Sequence, residues 1–552
     1  MSRSEWRVEK TEAIGRGGMV VADDPRAADA GAEILRAGGN AVDAAVAAAL
    51  VMGVVEPLTS GVGGVAAMVV CDRNGESVVF DGSGVAPRNA RPDMFDLLDS
   101  GSAGMYGWPA TKGNEHNEGP RSVGVPGAVA CFCRALERRG RIGRAAVFAP
   151  AIERAERPEP VGWQLTETLG NYAERMWKND EATRIFYRPS RAPLRTEVGL
   201  EPGDAIAQPD LARTLRRIAE RGPDEFYRGE TARAIVGDVR RLGGVLDAED
   251  LAAYEVREQA PLQASYRDVE LRTLPGGSGA TTVVEALNLL EGFDLRGLAP
   301  AEADVLHLLA ETSRIAFLDR FAHLAADDAP AIARLVSKEF AAEHRTRGDI
   351  DARRADPRAG AAALLAHADT THVSAVDRDG TAVALTATLG QAYGSGVVAR
   401  GTGVLLSDVM TWFDPRPDRA NSIEPGKRIL WAIAPIVALR ERRPWLVVGA
   451  PGGRRLITAV FQAIVNAVDF RLGPQDAVNG IRVHCEGETT LLDARAATDV
   501  RDTLARYGHR LRIAEENFVS AHFGRANAIR VDADGTLRGG AHRLKSTTAV
   551  GL

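Results

Sequence analysis

The alternation of apolar and polar residues is clearest between positions 370 and 388, where it predicts a β-hairpin. The run TTHVSAVD alternates on one side of Arg378-Asp379-Gly380, and the run TAVALTAT alternates on the other. An Asp-Gly pair between two alternating runs is a strong hairpin signal. With the loop at 378–380, the register places Thr370 opposite Thr388, with Cβ atoms roughly 5 Å apart. A bulge at Gly380 would shift this pairing by one residue.

Helical and strand patterns also alternate along the rest of the chain. A period of two predicts strands, and a period near 3.6 predicts helices. Outside the hairpin, the predicted strands are 68–71, 77–80, 266–274, 403–406, 433–437 and 445–450. The predicted helices are 25–37, 42–55 and 454–470, and the stretch 126–345 is predicted to be mostly helical. The helix over 42–55 is apolar on nearly every side, which indicates burial. Helices outside and sheets between them are the expectation for a layered α/β fold.

Two hydroxyl groups side by side at a strand end have a chemical use. A threonine hydroxyl is a weak nucleophile without a base beside it, and the α-amino group of the same residue can be that base. This requires a chain cut before the threonine, here between Asp369 and Thr370. The preceding stretch 351–368 is rich in Ala, Arg and Gly, which is typical of an exposed connector. An ordinary hairpin after a surface linker is the alternative interpretation.

Several longer motifs resemble the γ-glutamyltranspeptidase family over nearly the whole chain. In the family's order they are GGNAVDAAVA from Gly38, EPLTSGVGG from Glu56, GVPG from Gly124, GPDEFY from Gly222, DLAAY from Asp250, the Thr370 segment and GAPGG from Gly449. The resemblance implies an N-terminal-nucleophile hydrolase, an α/β protein built as a four-layer αββα sandwich. It also implies a precursor that cuts itself before Thr370, giving a large subunit 1–369 and a small subunit 370–552 in one αββα unit. Thr370 would be the nucleophile, with no metal and no organic cofactor.

The segment around Gly452 and Gly453 is the second candidate for catalysis. A predicted buried strand runs into these glycines and then into a helix. The N–H groups at a helix start favour negative charge, and glycines let a substrate approach the backbone. In acyl transfer such a turn can form an oxyanion hole for the tetrahedral intermediate. A plain strand-to-helix turn is the alternative, and the family resemblance favours the oxyanion hole.

Departures from the family pattern fall on positions that hold the γ-glutamyl group. An arginine of the family is replaced by Ser83, an asparagine by Gly390, a glutamine by Val409, an acidic residue by Trp412, and two adjacent serines by Trp431 and Ala432. Losing a bidentate Arg–carboxylate contact costs on the order of 2–4 kcal/mol. The acyl group is therefore expected to differ from a standard γ-glutamyl group. Candidates for replacement contacts are Asp408, Asp414, Arg88 and Arg91, and the sequence does not choose among them.

The sequence thus predicts an autoprocessing amide hydrolase or acyltransferase that acts on a small-molecule amide. Thr370 attacks the acyl carbonyl, its α-amine takes the proton, and Thr388 orients the hydroxyl. Water or an amine then resolves the acyl-enzyme. Alternatives are a true γ-glutamyltransferase or glutathione hydrolase, an oxamate amidohydrolase, an acylase, or a member of a natural-product pathway. A scaffold that keeps the fold but does not cut itself is a more distant alternative.

Composition agrees with a globular enzyme and excludes some other classes. Of the 552 residues, 45% are hydrophobic and 26% are charged, and the net charge is −6. This charge gives no basic footprint for nucleic acid. There is no apolar run of the ~18 residues that a membrane span needs, and the N-terminus lacks an apolar signal core. We therefore expect a cytoplasmic protein with no membrane partner, and a homodimer is left open.

Two cofactor classes are not favoured by the motifs. The four cysteines lack CxxC spacing, so neither a zinc site nor a disulfide framework is expected. The run GVGGVA from Gly61 fits a dinucleotide-binding pattern. That pattern needs a strand before it and a helix after it. Here it follows a predicted helix, so a nucleotide-dependent oxidoreductase is rejected, and a close-packed glycine loop near the active site is expected instead.

Overall fold

A computed structural model describes residues 8–104, 106–325, 327–355 and 368–552, without the side chains of residues 368 and 369. Most of the connector before Thr370, residues 356–367, lies outside the described residues. The helices are α1 (Pro25–Arg36), α2 (Ala41–Val55), α3 (Ala128–Arg139), α4 (Arg144–Glu156), α5 (Trp163–Asn171), α6 (Ala173–Met176), α7 (Asp180–Phe186), α8 (Pro209–Arg221), α9 (Pro223–Tyr227), α10 (Glu230–Arg241), α11 (Ala248–Ala252), α12 (Gly279–Leu290), α13 (Ala303–His323), α14 (Ala329–Leu335), α15 (Lys338–Arg347), α16 (Arg455–Val468), α17 (Pro474–Asn479) and α18 (Thr498–Arg506).

Strands occur on both sides of the Asp369–Thr370 bond. They are β1 (Ala13–Gly15), β2 (Gly18–Ala22), β3 (Val65–Cys71), β4 (Ser77–Gly82), β5 (Leu97–Ala103), β6 (Trp108–Thr111), β7 (Glu159–Pro160), β8 (Ala205–Ile206), β9 (Arg257–Gln259), β10 (Leu262–Tyr266), β11 (Val269–Thr273), β12 (Ala368–Asp377), β13 (Ala382–Gln391), β14 (Val398–Ala399), β15 (Val404–Leu405), β16 (Ile436–Arg440), β17 (Arg443–Gly449), β18 (Val483–Cys485), β19 (Thr489–Asp493), β20 (Arg510–Ala514), β21 (Asn527–Val531), β22 (Leu537–Gly540) and β23 (Thr548–Gly551).

Two seven-stranded antiparallel sheets form the centre of the molecule. The first sheet has the order β1-β22-β21-β17-β16-β11-β10, and the second has the order β23-β2-β12-β13-β3-β4-β9. Each sheet contains strands from before and after the Asp369–Thr370 bond. After a cut at that bond, the two parts of the chain would therefore still be joined by strand pairing in both sheets.

Buried apolar clusters define four layers. Between the sheets, residues such as Val69, Val447 and Ile529 pack together. Helices α1, α2 and α3 cover the outer face of the second sheet, and α12, α13 and α16 cover the outer face of the first. Because each sheet has one face on the other sheet and one face on helices, the predicted αββα sandwich is confirmed.

Local predictions succeed where capping and burial agree with the pattern. Helix α1 begins at Pro25 with Asp24 as its N-cap, and α2 is buried almost throughout. Two strand predictions need correction. The segment 266–274 was predicted as one strand, but it is divided between β10 and β11 by a turn at Arg267, whose φ is 51° and whose side chain contacts Asp469. The strand predicted at 433–437 begins only at Ile436, because Pro435 has no N–H to donate.

In the part of the chain that the structure describes, no helix could cross a membrane. No helix there combines the length and the apolar character of a membrane span.

The N-cap of α2 generates the first prediction. The Asn40 side chain accepts hydrogen bonds from the N–H groups of Val42 and Asp43, and the Asp43 carboxylate accepts one from the Asn40 N–H. We expect Asn40→Ala to lower the free energy of unfolding by about 1 kcal/mol, because the first turn loses its acceptor. Urea denaturation followed by fluorescence measures this. Asn40→Ser keeps a capping oxygen and is the control; an equal loss in both variants would contradict the role of the cap.

Candidate active site

The hairpin β12–β13 brings the two threonines together. The predicted register holds from the pair Thr371–Ala387 to the pair Val376–Ala382, and Gly380 does not shift it. The irregularity lies at the other end, where Asp369 pairs with Gly390 and Thr370 is left within a bulge. The strict pairing predicted for Thr370 and Thr388 is therefore not formed. Their hydroxyls are nevertheless in contact, because Thr370 Oγ1 donates to Thr388 Oγ1 at 3.3 Å.

The hydroxyl of Thr388 is held by its own strand. Besides the contact with Thr370, its Oγ1 accepts a hydrogen bond from the N–H of Gly390 at 2.9 Å. Thr388 also pairs with Val65 of β3, next to the predicted glycine loop. A Cβ atom at Gly64 would lie 2.5 Å from the Thr388 carbonyl oxygen, so only glycine permits this approach. The loop that resembled a dinucleotide motif thus packs against the strand that carries Thr388.

A buried carboxylate lies beneath the start of β12. Asp23 follows β2, and its Oδ2 accepts hydrogen bonds from Thr371 Oγ1 at 3.1 Å and from the His372 N–H at 3.0 Å. Its Oδ1 accepts one from Thr547 Oγ1 at 3.2 Å. Burial raises the pKa of Asp23, while the positive charge of Arg525 and these hydrogen bonds act in the opposite direction. The sequence interpretation missed Asp23, because only the neighbouring Asp24 carried a capping signal.

Both ring nitrogens of His372 have hydrogen-bond partners on the hairpin strands. Its Nδ1 contacts Thr386 Oγ1 at 2.8 Å, and its Nε2 contacts Ser374 Oγ at 3.1 Å. Burial lowers the pKa of His372 to about 3, so the imidazole is neutral at physiological pH. This geometry agrees with the interpretation of His372 as a structural residue.

The glycine turn follows β17 and leads into α16. Gly452 and Gly453 have φ values of 129° and 59°, a region that favours glycine. Gly452 borders a polar cavity of about 430 Å³, which Asp23 and Thr59 also line. The Thr59 carbonyl oxygen accepts a hydrogen bond from the N–H of Leu389, the residue after Thr388. Two residues that line the cavity, Asp23 and Thr59, therefore bond to the two strands of the hairpin, although no described hairpin residue itself lines it.

The structure describes all five predicted acyl-pocket positions. Gly390, Asp408 and Trp412 come together: with φ of 104° at Gly390, a Cβ atom there would lie 1.9 Å from Asp408 Oδ1 and 2.9 Å from the Trp412 ring. Trp412 and Trp431 are buried in the cluster between the sheets. Ser83 Oγ accepts a hydrogen bond from Arg428 at 3.0 Å, and a Cβ atom at the neighbouring Gly84 would lie 2.8 Å from the Val409 side chain.

The other candidates for replacement contacts form local ion pairs. Arg88 contacts Glu249, Arg91 contacts Asp93, and Asp414 contacts Arg416. Asp408 differs from them, because it is fully buried and accepts hydrogen bonds from the N–H and the side-chain amide of Gln391. Burial raises the pKa of Asp408 to about 8, although the charge of Arg175 and the bonds from Gln391 lower it.

Comparisons with known proteins show the family of this chain. The family described as Gamma-glutamyltranspeptidase matches residues 27–552. An "Acylase ACY 1 proenzyme" of Pseudomonas sp. (strain SE83) is 37% identical, over 98% of this chain and 94% of the relative. A "Glutathione hydrolase proenzyme" of Escherichia coli (strain K12) is 33% identical, over 95% of this chain and 89% of the relative.

Solved structures give the same result for the fold. The crystal structure of a cephalosporin acylase from Bacillus halodurans has a TM-score of 0.87 and 27% identity, covering 100% of this chain and 99% of that chain. A Helicobacter pylori gamma-glutamyltranspeptidase has a TM-score of 0.52 and 28% identity, covering 62% of this chain and 92% of that chain. By sequence and by fold, this chain belongs to the γ-glutamyltranspeptidase family of hydrolases and acylases.

Proposed function

We propose that the chain is an autoprocessing amide hydrolase or acyltransferase whose nucleophile is Thr370. The observation that carries this proposal is the 3.3 Å contact between the hydroxyls of Thr370 and Thr388, at a bulge in an otherwise regular hairpin. The proenzyme names of the relatives support a precursor that is cut. The products would be a large subunit, 1–369, and a small subunit, 370–552.

The surroundings of Thr370 suit such a cut. Asp23 holds the hydroxyl of Thr371 and the N–H of His372, the second and third residues after the bond to be broken. Cleavage before Thr370 would therefore leave the new chain end attached to the second sheet. The released α-amino group would lie on the same residue as the attacking hydroxyl, which is the arrangement that an N-terminal nucleophile requires.

Turnover follows from the same groups. Thr370 Oγ1 bonds to the acyl carbon of the amide, and the hydroxyl proton passes to the α-amine. The C–N bond then breaks, and the amine leaves with that proton. Gly452 and Gly453 are proposed to stabilise the negative oxygen of the intermediate, and Thr388 to orient the hydroxyl. Water or a second amine then attacks the acyl-enzyme, which restores the threonine hydroxyl.

The acyl group is proposed to differ from a standard γ-glutamyl group. Where the family has an asparagine, Gly390 leaves room for the Asp408 carboxyl, and the Trp412 ring closes the same space. Ser83 and Trp431 provide no charge to hold an α-carboxylate. The similarity to an acylase of Pseudomonas supports this substrate change. The acceptor is water or an amine, and we predict that the protein acts in the cytoplasm.

Self-cleavage is the first test of the proposal. We expect the purified wild-type protein to give two polypeptides that begin at its N-terminus and at Thr370, and Thr370→Ala to stay one chain, because it lacks the attacking hydroxyl. Intact-mass spectrometry measures both. Thr381→Ala is the matched control, since it removes a threonine hydroxyl at the turn end of the same hairpin, away from Thr370, and should still be cut. An uncut wild-type protein that retains amidase activity would refute the mechanism.

The altered acyl pocket predicts poor turnover of a γ-glutamyl substrate. We expect kcat/KM for γ-glutamyl-p-nitroanilide to be at least about tenfold lower than in an enzyme with the arginine clamp, because the Arg–carboxylate contact is missing. Release of p-nitroaniline measures this, with the Escherichia coli glutathione hydrolase as the reference. Equal rates in the two enzymes would show that another group holds the glutamyl carboxylate.

The raised pKa of Asp408 predicts a pH-dependent stability. Because its pKa is about 8 in the fold and about 3.9 when unfolded, the group keeps a proton only in the folded protein between these values. Its contribution is full below pH ~4 and is lost as the pH rises towards ~8, by at most about 1.4 kcal/mol per pH unit. We expect wild type to lose stability relative to Asp408→Asn over this window and then to level off. Denaturant titrations at several pH values measure this; parallel curves would contradict the assignment.

A further inference from the structure

A groove extends from the candidate oxyanion hole to the protein surface. The 430 Å³ cavity beside Gly452 is continued by a second cavity of about 260 Å³. The two cavities share Glu56, Leu58 and Gln164, and the second one reaches Trp163. Together they provide a path about as large as a drug-sized ligand needs.

An exposed aromatic pair lies at the outer end of this groove. Among the large hydrophobic residues that the described structure exposes, Trp163 and Phe518 are the aromatic ones, with 38% and 45% exposure. Their ring centroids are 6.3 Å apart in an edge-to-face arrangement. Val519, next to Phe518, is 53% exposed and lines the larger cavity. Single exposed hydrophobic residues are common, but a cluster at the mouth of a cavity indicates a binding surface.

Lys545 fixes this aromatic pair in place. Its Nζ donates a hydrogen bond to the Phe518 carbonyl oxygen at 3.0 Å and lies 5.7 Å from the centroid of the Trp163 ring. The following residue, Ser546, donates a hydrogen bond to the Gln164 side chain at 3.0 Å, next to Trp163. The rings are thus held by contacts between α5 and the C-terminal segment, which suits a preformed site.

The position of the groove indicates which half of the substrate it receives. An amide carbonyl beside Gly452 has its acyl group on one side and its amine on the other. The five predicted acyl-pocket positions, all of them described, line neither cavity. We therefore expect the amine half to extend into the groove.

The charges of the groove do not favour one sign of ligand. Its larger cavity is lined by acidic and basic side chains in equal number: Asp23, Glu56, Glu167, Arg455, Arg525 and Lys545. Selection by net charge is therefore weak, and the apolar rings at the outer end are the distinctive feature.

We propose that this groove binds the amine half of the amide, and that this amine carries a planar apolar body that packs against Trp163 and Phe518. The inference rests on the proposed function and names one half of its substrate. During acylation the planar amine leaves through the groove with the proton from the Thr370 hydroxyl. In a transfer reaction an accepting amine enters by the same path.

Binding of a planar amine to the purified full-length protein tests this inference. The probe is 7-amino-4-methylcoumarin, with isobutylamine as a non-planar amine, and equilibrium dialysis measures both dissociation constants. We expect Trp163→Ala and Phe518→Ala each to weaken coumarin binding by about three- to tenfold, since each removes a stacking surface. Neither should change isobutylamine binding. Leu200→Ala, which removes a fully exposed apolar side chain, should change neither.

The outcomes separate this inference from the proposed function. Unchanged coumarin affinity in both ring variants of a protein that cuts itself would overturn the groove assignment alone. Coumarin-3-carboxylic acid carries the same rings on an acid; tighter binding of the acid with the same ring dependence would assign the groove to the acyl half and overturn the inference. Ring-dependent binding of the amine at equal or higher affinity supports it. A protein that is never cut, yet binds coumarin in this manner, would instead contradict the proposed enzyme.

Discussion

The Asp23 carboxylate is the contact on which the geometry of the site depends. It joins the end of β2 to the start of β12 and to Thr547, which precedes β23, through three hydrogen bonds. A buried carboxylate is costly unless it is bonded, and its removal would leave the hydroxyl and N–H partners unsatisfied. Because Thr371 and His372 are held in this manner, the position of Thr370 is set by the sheet rather than by the connector before it.

The sandwich makes a chain cut compatible with a stable protein. Both sheets contain strands from residues before and after Asp369–Thr370, and the apolar layer between them joins the same two parts. The two polypeptides would share backbone ladders and a buried core, so their association needs no further contact. Burial of this kind is the main stabilising term in folding, and it is unaffected by one broken peptide bond at a strand end.

The proposed acyl pocket places Gly390, Asp408 and Trp412 in one small space. The space beside Gly390 is occupied by the Asp408 carboxyl and the Trp412 ring, so a larger residue at 390 would require both to move. These three positions are therefore coupled by packing, and single substitutions there are expected to be non-additive. The burial that makes the pocket apolar is also what raises the pKa of Asp408. If the proposed pocket binds the acyl group, its apolar character and the protonation state of Asp408 have the same cause, which is burial.

The sequence by itself determined the hairpin, the buried helix α2, the layered fold and the threonine pair. Each of these depends on short-range alternation, on capping residues or on motifs in family order, and such signals are local. Only the tertiary structure decided the bulge at Thr370, the hydrogen bonds of Asp23 and the contact of Ser83 with Arg428. It also divided 266–274 into two strands, because the turn at Arg267 is held by Asp469, about two hundred residues away. Contacts between distant segments produce no periodic pattern in a single sequence, and therefore only the folded structure shows them.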